Sequence, residues 1–293
     1  MKYLLIIVIG FFSSVNVFAQ TPVMAGTDSA KSAMPEIIYY TSDTVKLKGY
    51  LVKPAGKGPF PVYMWNHDSE KEPVFNNSIA NFWVKQGYLF FMPIRGGHSD
   101  NPGEYIVNNE KQINRRREMA QVVFKQVYIQ HQQANKDVVS ALKWIRHQSY
   151  TDSNRVVVAG AGYGGIQVLL TAEKDGKSPL GVKCFIAMAP ASAIWYPLWG
   201  DSLVPAVSRA KRPIFIFQAH NDYKLGPCET LGPVLVKKGY PNRSKIFPDH
   251  LTGMEIDMGY QGSTDFFNDT KAWQKEVLRF LKDCKVVKAR KKK

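Results

Sequence analysis

Along the chain, apolar positions come in short blocks cut by polar, glycine or proline positions, and the spacing inside each block changes. Residues 36–40 and 45–52 have strand spacing around Thr41-Ser42-Asp43 and predict a hairpin. Residues 61–66 and 87–93 are near-continuous apolar runs, as expected of strands buried on both faces. Between them, residues 79–86 have helical spacing, with Asn76, Asn77 and Ser78 as candidate caps. Residues 114–147 form a long helical stretch with Gln132 to Asn135 as a candidate break. A buried strand follows at 155–159, then a helix at 165–173, strands at 182–188 and 213–217, a helix at 229–238 and a strand at 244–247. The last helix, 270–284, should turn Trp273, Val277, Phe280 and Leu281 inward.

Strands that alternate with helices build right-handed crossovers, so the expected fold is α/β: a mostly parallel, twisted sheet with helices on both faces, preceded by an antiparallel hairpin. No internal repeat or clean boundary divides residues 35–284, which read as one domain. Residues 191–212 read as an irregular insert over the carboxyl edge of the sheet.

The two ends have a different character. Met1-Lys2-Tyr3, an apolar run and Val17-Phe18-Ala19 have the order of an export signal, with cleavage expected before Gln20. The apolar run is too short to span a bilayer, so the expected product is a soluble periplasmic or secreted protein. Residues 20–34 are small and polar, as in a linker. Of the 39 basic residues, Lys2, Lys285, Lys288 and Arg290 to Lys293 lie at the ends, so much of the net charge of +15 sits there. The 285–293 tail is expected to be solvated, with a weak contact to anionic surfaces as the sharper alternative. No nucleic-acid recognition motif accompanies the charge. Cys184 should be buried and inert. Cys228 and Cys284 are left as a candidate pair in an oxidising compartment. No Cys or His spacing matches a zinc site, and no cofactor is expected.

In open parallel sheets, ligands meet the carboxyl ends of the strands. The turn after the 155–159 strand reads Gly160-Ala161-Gly162-Tyr163-Gly164-Gly165. It fits a dinucleotide-binding turn, G-x-G-x-x-G, and also a nucleophile elbow, G-x-S-x-G, with Gly162 in the serine's place. Position favours the elbow. The turn follows three or more strands, and the acidic residues after it, Glu173 and Asp175, come too early to hold a ribose.

Beyond that turn, Asn66-His67-Asp68-Ser69, Met92-Pro93-Ile94-Arg95-Gly96-Gly97-His98-Ser99, residues 137–145 and Phe217-Gln218-Ala219-His220-Asn221-Asp222 resemble successive motifs of α/β-hydrolases. The chain is most similar to the dienelactone-hydrolase-like and prolyl-oligopeptidase-like esterases, over residues 45–281. The resemblance implies an oxyanion-hole loop at 66–70, a triad acid at Asp222, a nucleophile position at Gly162 and a histidine position at Met258. It also implies that the Tyr163 backbone N–H faces the oxyanion site, and that Asp68 stands where these enzymes have glycine.

Those departures carry the functional expectation. Glycine offers no nucleophile, and methionine cannot accept its proton. A carboxylate at Asp68 would repel a developing oxyanion. The expected protein is therefore an exported family member that has lost hydrolysis and binds a small ester, lactone or peptide-like ligand, in a site that Gly162 enlarges. The alternative is a working hydrolase with an unusual base (His250) or nucleophile (Cys228 or Ser99). The Tyr163 ring is expected as a pocket wall. A metal held by Asp68, Asp222 and Asp257 with His67 or His98 finds no support in the spacing.

Overall fold

The computed structural model describes residues 34–106, 117–250 and 263–287. The export signal, most of the linker, Asp257, Met258 and the end of the basic tail lie outside them.

Eight strands form one sheet in the order β1-β2-β4-β3-β5-β6-β7-β8. β1 (Glu36–Ser42) and β2 (Val45–Val52) are the hairpin, and β2 pairs antiparallel with β4 (Leu89–Pro93). β3 (Phe60–Asn66), β5 (Thr151–Ala161), β6 (Val182–Met188), β7 (Ile214–Ala219) and β8 (Arg243–Phe247) run parallel to β4. From β3 the chain goes outward to β4 on one side and then returns to β5 on the other. The ends of β3 and β5 therefore flank the crevice where ligands settle in such sheets.

Alternate strand residues feed two cores, which explains the unbroken apolar runs. Val62, Met64, Val156, Val158, Phe185 and Ile216 pack beneath one helical layer. That layer holds α2 (Arg117–Arg146), α3 (Tyr163–Lys177), α4 (Pro197–Arg209) and α5 (Gly226–Lys238). Tyr63, Trp65, Val157, Ile186 and Phe217 pack beneath the other, formed by α1 (Asn77–Lys85), α6 (Ser263–Asn268) and α7 (Thr270–Asp283). In α7, Trp273, Val277, Phe280 and Leu281 are all buried, as the spacing predicts. Asn76 caps α1, its side-chain oxygen accepting from Ile79 N.

Four local expectations change. The hairpin turns at Asp43-Thr44, because pairing continues to Ser42↔Val45. Gln132 to Asn135 do not break α2: His131 and Asn135 point into the core, where Asn135 Nδ2 donates to Gln167 and Thr171, and His131 Nδ1 lies 3.2 Å from Gln167 Nε2. Residues 191–212 are not irregular. They hold a short 3-10 turn (Ser192–Ile194) and the whole of α4, whose Pro205 tolerates a helix interior. Cys228 and Cys284 do not pair; all three cysteines are free and buried, and Cys284 lies against Cys184 instead.

Candidate functional site

The turn between β5 and α3 has the sharp geometry of an elbow. Gly162 stands at φ 51°, ψ −113°, its N–H donating to Met188 O at 3.0 Å. The crossing is tight enough that a Cβ at Gly164 would lie 2.0 Å from Asn66 O, and one at Gly160 2.7 Å from the Gly164 backbone. These two glycines are needed where α3 passes over β3, whatever the chemistry at Gly162.

Gly162 itself faces a side chain. A Cβ built on it would lie 2.1 Å from Asp68 Oδ1 and 2.2 Å from Oδ2. Asp68 Oδ1 also accepts from Tyr163 N at 2.7 Å. The space that a nucleophile would fill and the amide that would receive an oxyanion are both taken by this one carboxyl. The expectation that Gly162 enlarges the site is thus overturned, because Asp68 fills the volume that the missing side chain leaves. The same contact weighs against a dinucleotide at this turn, where a phosphate drawn to Tyr163 N would meet the carboxyl.

Arg95, 2% exposed at the end of β4, holds the Asp68 loop from beneath. Its guanidinium donates to His67 O at 2.7 Å and Asp68 O at 2.6 Å. His67 is fixed by its own loop: Nδ1 lies 2.9 Å from Asp68 O, and Nε2 accepts from Arg95 N at 3.2 Å. The ring is therefore neutral, with its proton on Nδ1. Burial, with the Arg95 charge adding to it, holds its pKa well below the usual histidine range. Burial likewise lowers His98 to about 4 and His131 to about 3. Burial pushes the Asp68 carboxyl up to about 8; Glu70 and Asp222 add to this, and Arg95 and the Ser69 backbone oppose it.

Asp222 is buried in the turn after β7, and burial raises its carboxyl to about 6. Its Oδ1 accepts from Tyr223 N at 2.7 Å and from Ser192 Oγ at 3.0 Å. A serine hydroxyl thus contacts the expected triad acid. Ser192 was not legible in the sequence, because the segment carrying it gave no helical or strand period.

The other candidates fall out as follows. His250 is tied to the Asp222 turn through its backbone, exchanging hydrogen bonds of 2.9 and 2.8 Å with the Asn221 amide, and its ring packs against Phe266. Cys228 is not an activated thiolate: it is buried on the first turn of α5, and burial raises it to about 12. The Tyr163 ring is a core residue rather than a pocket wall, packed edge-on to His131 at 4.9 Å. Ser99 stands at φ 52° in the loop after β4, its N–H donating to Lys71 O. Among the described residues, no group of three His, Cys, Asp or Glu side chains has the geometry of a metal site. No helix there is long and apolar enough to cross a membrane.

The two raised carboxyls and the lowered histidines set the pH response. A carboxyl raised above its unfolded value stabilises at low pH, and that stability is lost as pH rises through the folded pKa. The buried histidines act oppositely, but only up to about pH 6.5, where their unfolded forms lose the proton. Between about pH 6.5 and about pH 8, Asp68 therefore dominates this set. Urea midpoints should fall over that interval in the native protein and stay level in Asp68→Asn, which keeps the acceptor oxygen.

The strand order, the flanking helices and the elbow after β5 together define an α/β-hydrolase. The chain belongs to the dienelactone hydrolase family, whose model matches residues 47–283. No curated protein matches it. Among solved structures it is similar to an acylaminoacyl peptidase from Pyrococcus horikoshii, with a TM-score of 0.60 and 17% identity over 88% of this chain and 43% of that one. It is also similar to the esterase Est22, with a TM-score of 0.59 and 14% identity over 87% and 81% of the two chains. The Pyrococcus furiosus esterase Pf2001 aligns with a TM-score of 0.56 and 15% identity, over 86% and 93%. The chain thus spans less than half of the acylaminoacyl peptidase and most of the two esterases.

Proposed function

We propose that this protein is an exported member of the dienelactone hydrolase family that binds a small ligand and no longer hydrolyses esters. The observation that carries the reading is the Asp68 carboxyl, which lies where a Gly162 side chain would stand and accepts the Tyr163 amide hydrogen. An acyl-transfer site needs a nucleophile and an open donor for the oxyanion. Here glycine supplies no nucleophile, and the donor is occupied. Asp222, the acid position of the family resemblance, is bonded to Ser192 and a backbone amide. The resemblance places Met258, which cannot act as a base, at the histidine position. Export is supported by the order of charge, apolar run and small residues over 1–19, and the basic tail beyond Lys285 suits a weak contact with anionic surfaces.

Turnover of a short p-nitrophenyl ester by the purified protein tests the reading. The expected rate equals that of buffer and is the same in Asp222→Ala. Turnover above buffer that the substitution removes would establish a hydrolase with a non-standard nucleophile or base. Cys228, with its raised and buried thiol, is poorly suited to be that nucleophile.

A further inference from the structure

Beside the elbow lies a cavity of about 500 Å³, bounded by the ends of β3, β4 and β5, the loop that follows β3, the start of α1 and the end of α6. We propose that this cavity binds an organic cation: an amine on an apolar or aromatic body. The inference rests on the non-hydrolytic reading above and specifies the ligand class.

Four observations converge. First, among the described residues the acidic side chains lining the cavity are Asp68 and Glu70, and neither lysine nor arginine lines it. That is notable in a chain with 39 basic and 24 acidic residues. Second, the buried cation Arg95 is not part of the lining: two of its guanidinium nitrogens are directed at the His67 and Asp68 carbonyls. Third, the anion-attracting donors are already engaged. Tyr163 N serves Asp68, and Ile79 N in the first turn of α1 serves the Asn76 side chain. A carboxylate or acyl ligand would meet two carboxyl groups and few free donors. Fourth, Trp65, Phe75 and Phe267 also line the cavity, so it combines carboxyls with aromatic side chains, a combination suited to a substituted ammonium.

Three probes of similar body separate the possibilities: benzylamine, benzyl alcohol and phenylacetate, titrated into the native protein by calorimetry at about pH 8.5, above the Asp68 carboxyl at about 8, where benzylamine is still largely an ammonium. Benzylamine is expected to bind at millimolar concentration or better, and the alcohol and the acid more weakly. Asp68→Asn should weaken the amine by about tenfold or more, the usual scale for losing a desolvated charge partner. Glu70→Gln should weaken it less. Glu70 is exposed, so this variant should fold even if the first does not. Equal or tighter binding of phenylacetate, no amine binding, or an amine affinity unchanged in both variants would each overturn the proposal. The ester assay is read separately. Ester turnover would remove the underlying reading, whereas an inert protein that ignores benzylamine would remove only the ligand class.

Discussion

Serine introduced at Gly162 should destabilise the protein by about 2–4 kcal/mol and should yield no esterase. Two costs combine. Gly162 has a positive φ of 51°, where any Cβ adds strain, and the new Cβ would stand 2.1 Å from Asp68 Oδ1. The carboxyl can swing away, but only by giving up the bond to Tyr163 N. A double-mutant cycle isolates this second cost. In an Asp68→Ala background the serine should cost about 1–2 kcal/mol less, leaving the backbone strain alone. Additive costs in denaturant melts of the four proteins would show that Asp68 does not occupy the elbow in solution. The single variant should remain inert toward p-nitrophenyl esters, because a hydroxyl without a base is a poor nucleophile.

Arg95→Met should lower stability by about 2–4 kcal/mol, or roughly 5–15 °C in melting temperature. The exchange removes the expense of burying a cation, yet it strands the His67 carbonyl and leaves the Asp68 carbonyl with only its His67 Nδ1 donor, where the guanidinium now donates at 2.7 and 2.6 Å. Lysine brings one compact ammonium where Arg95 uses two nitrogens, so Arg95→Lys should fall between the native protein and Arg95→Met. A consequence at the elbow distinguishes this from a general loss of packing. With the loop freed, Asp68 should release Tyr163, and the Tyr163 amide should exchange with deuterium much faster while amides in α7 keep their protection. Uniform acceleration in both places would mean that Arg95 merely supports the fold.

Much of this architecture is readable from residue order. The apolar runs of β3, β5 and β7 mark a sheet covered on both sides, and the inward stripe of α7 is visible at helical spacing. The elbow is readable because Gly160 and Gly164 leave no room for any other residue. What escapes is what depends on three-dimensional approach. The family resemblance puts Asp68 in the loop beside the elbow, but not its carboxyl in the space over Gly162, 94 positions away in the chain, because that contact is made by the crossing of β3 under α3. Ser192 reaches Asp222 across 30 residues through a loop whose composition carries no period. The apparent break in α2 fails for the opposite reason: its polar residues look like a turn, but Asn135 is a buried partner for Gln167 and Thr171 while Gln132 and Gln133 lie on the helix's exposed side.

The overlap at the elbow also orders descent. In a chain carrying both a side chain at position 162 and Asp68, the carboxyl must leave its present place, because the two groups would otherwise lie about 2 Å apart. On the proposed reading, losing a side chain at 162 before, or together with, the arrival of the carboxyl is the route that avoids this displacement. With the carboxyl in place, regaining a side chain at 162 is penalised rather than neutral. On that reading the step acts as a ratchet: a side chain at 162 returns without penalty only through two coordinated changes, at 162 and at 68.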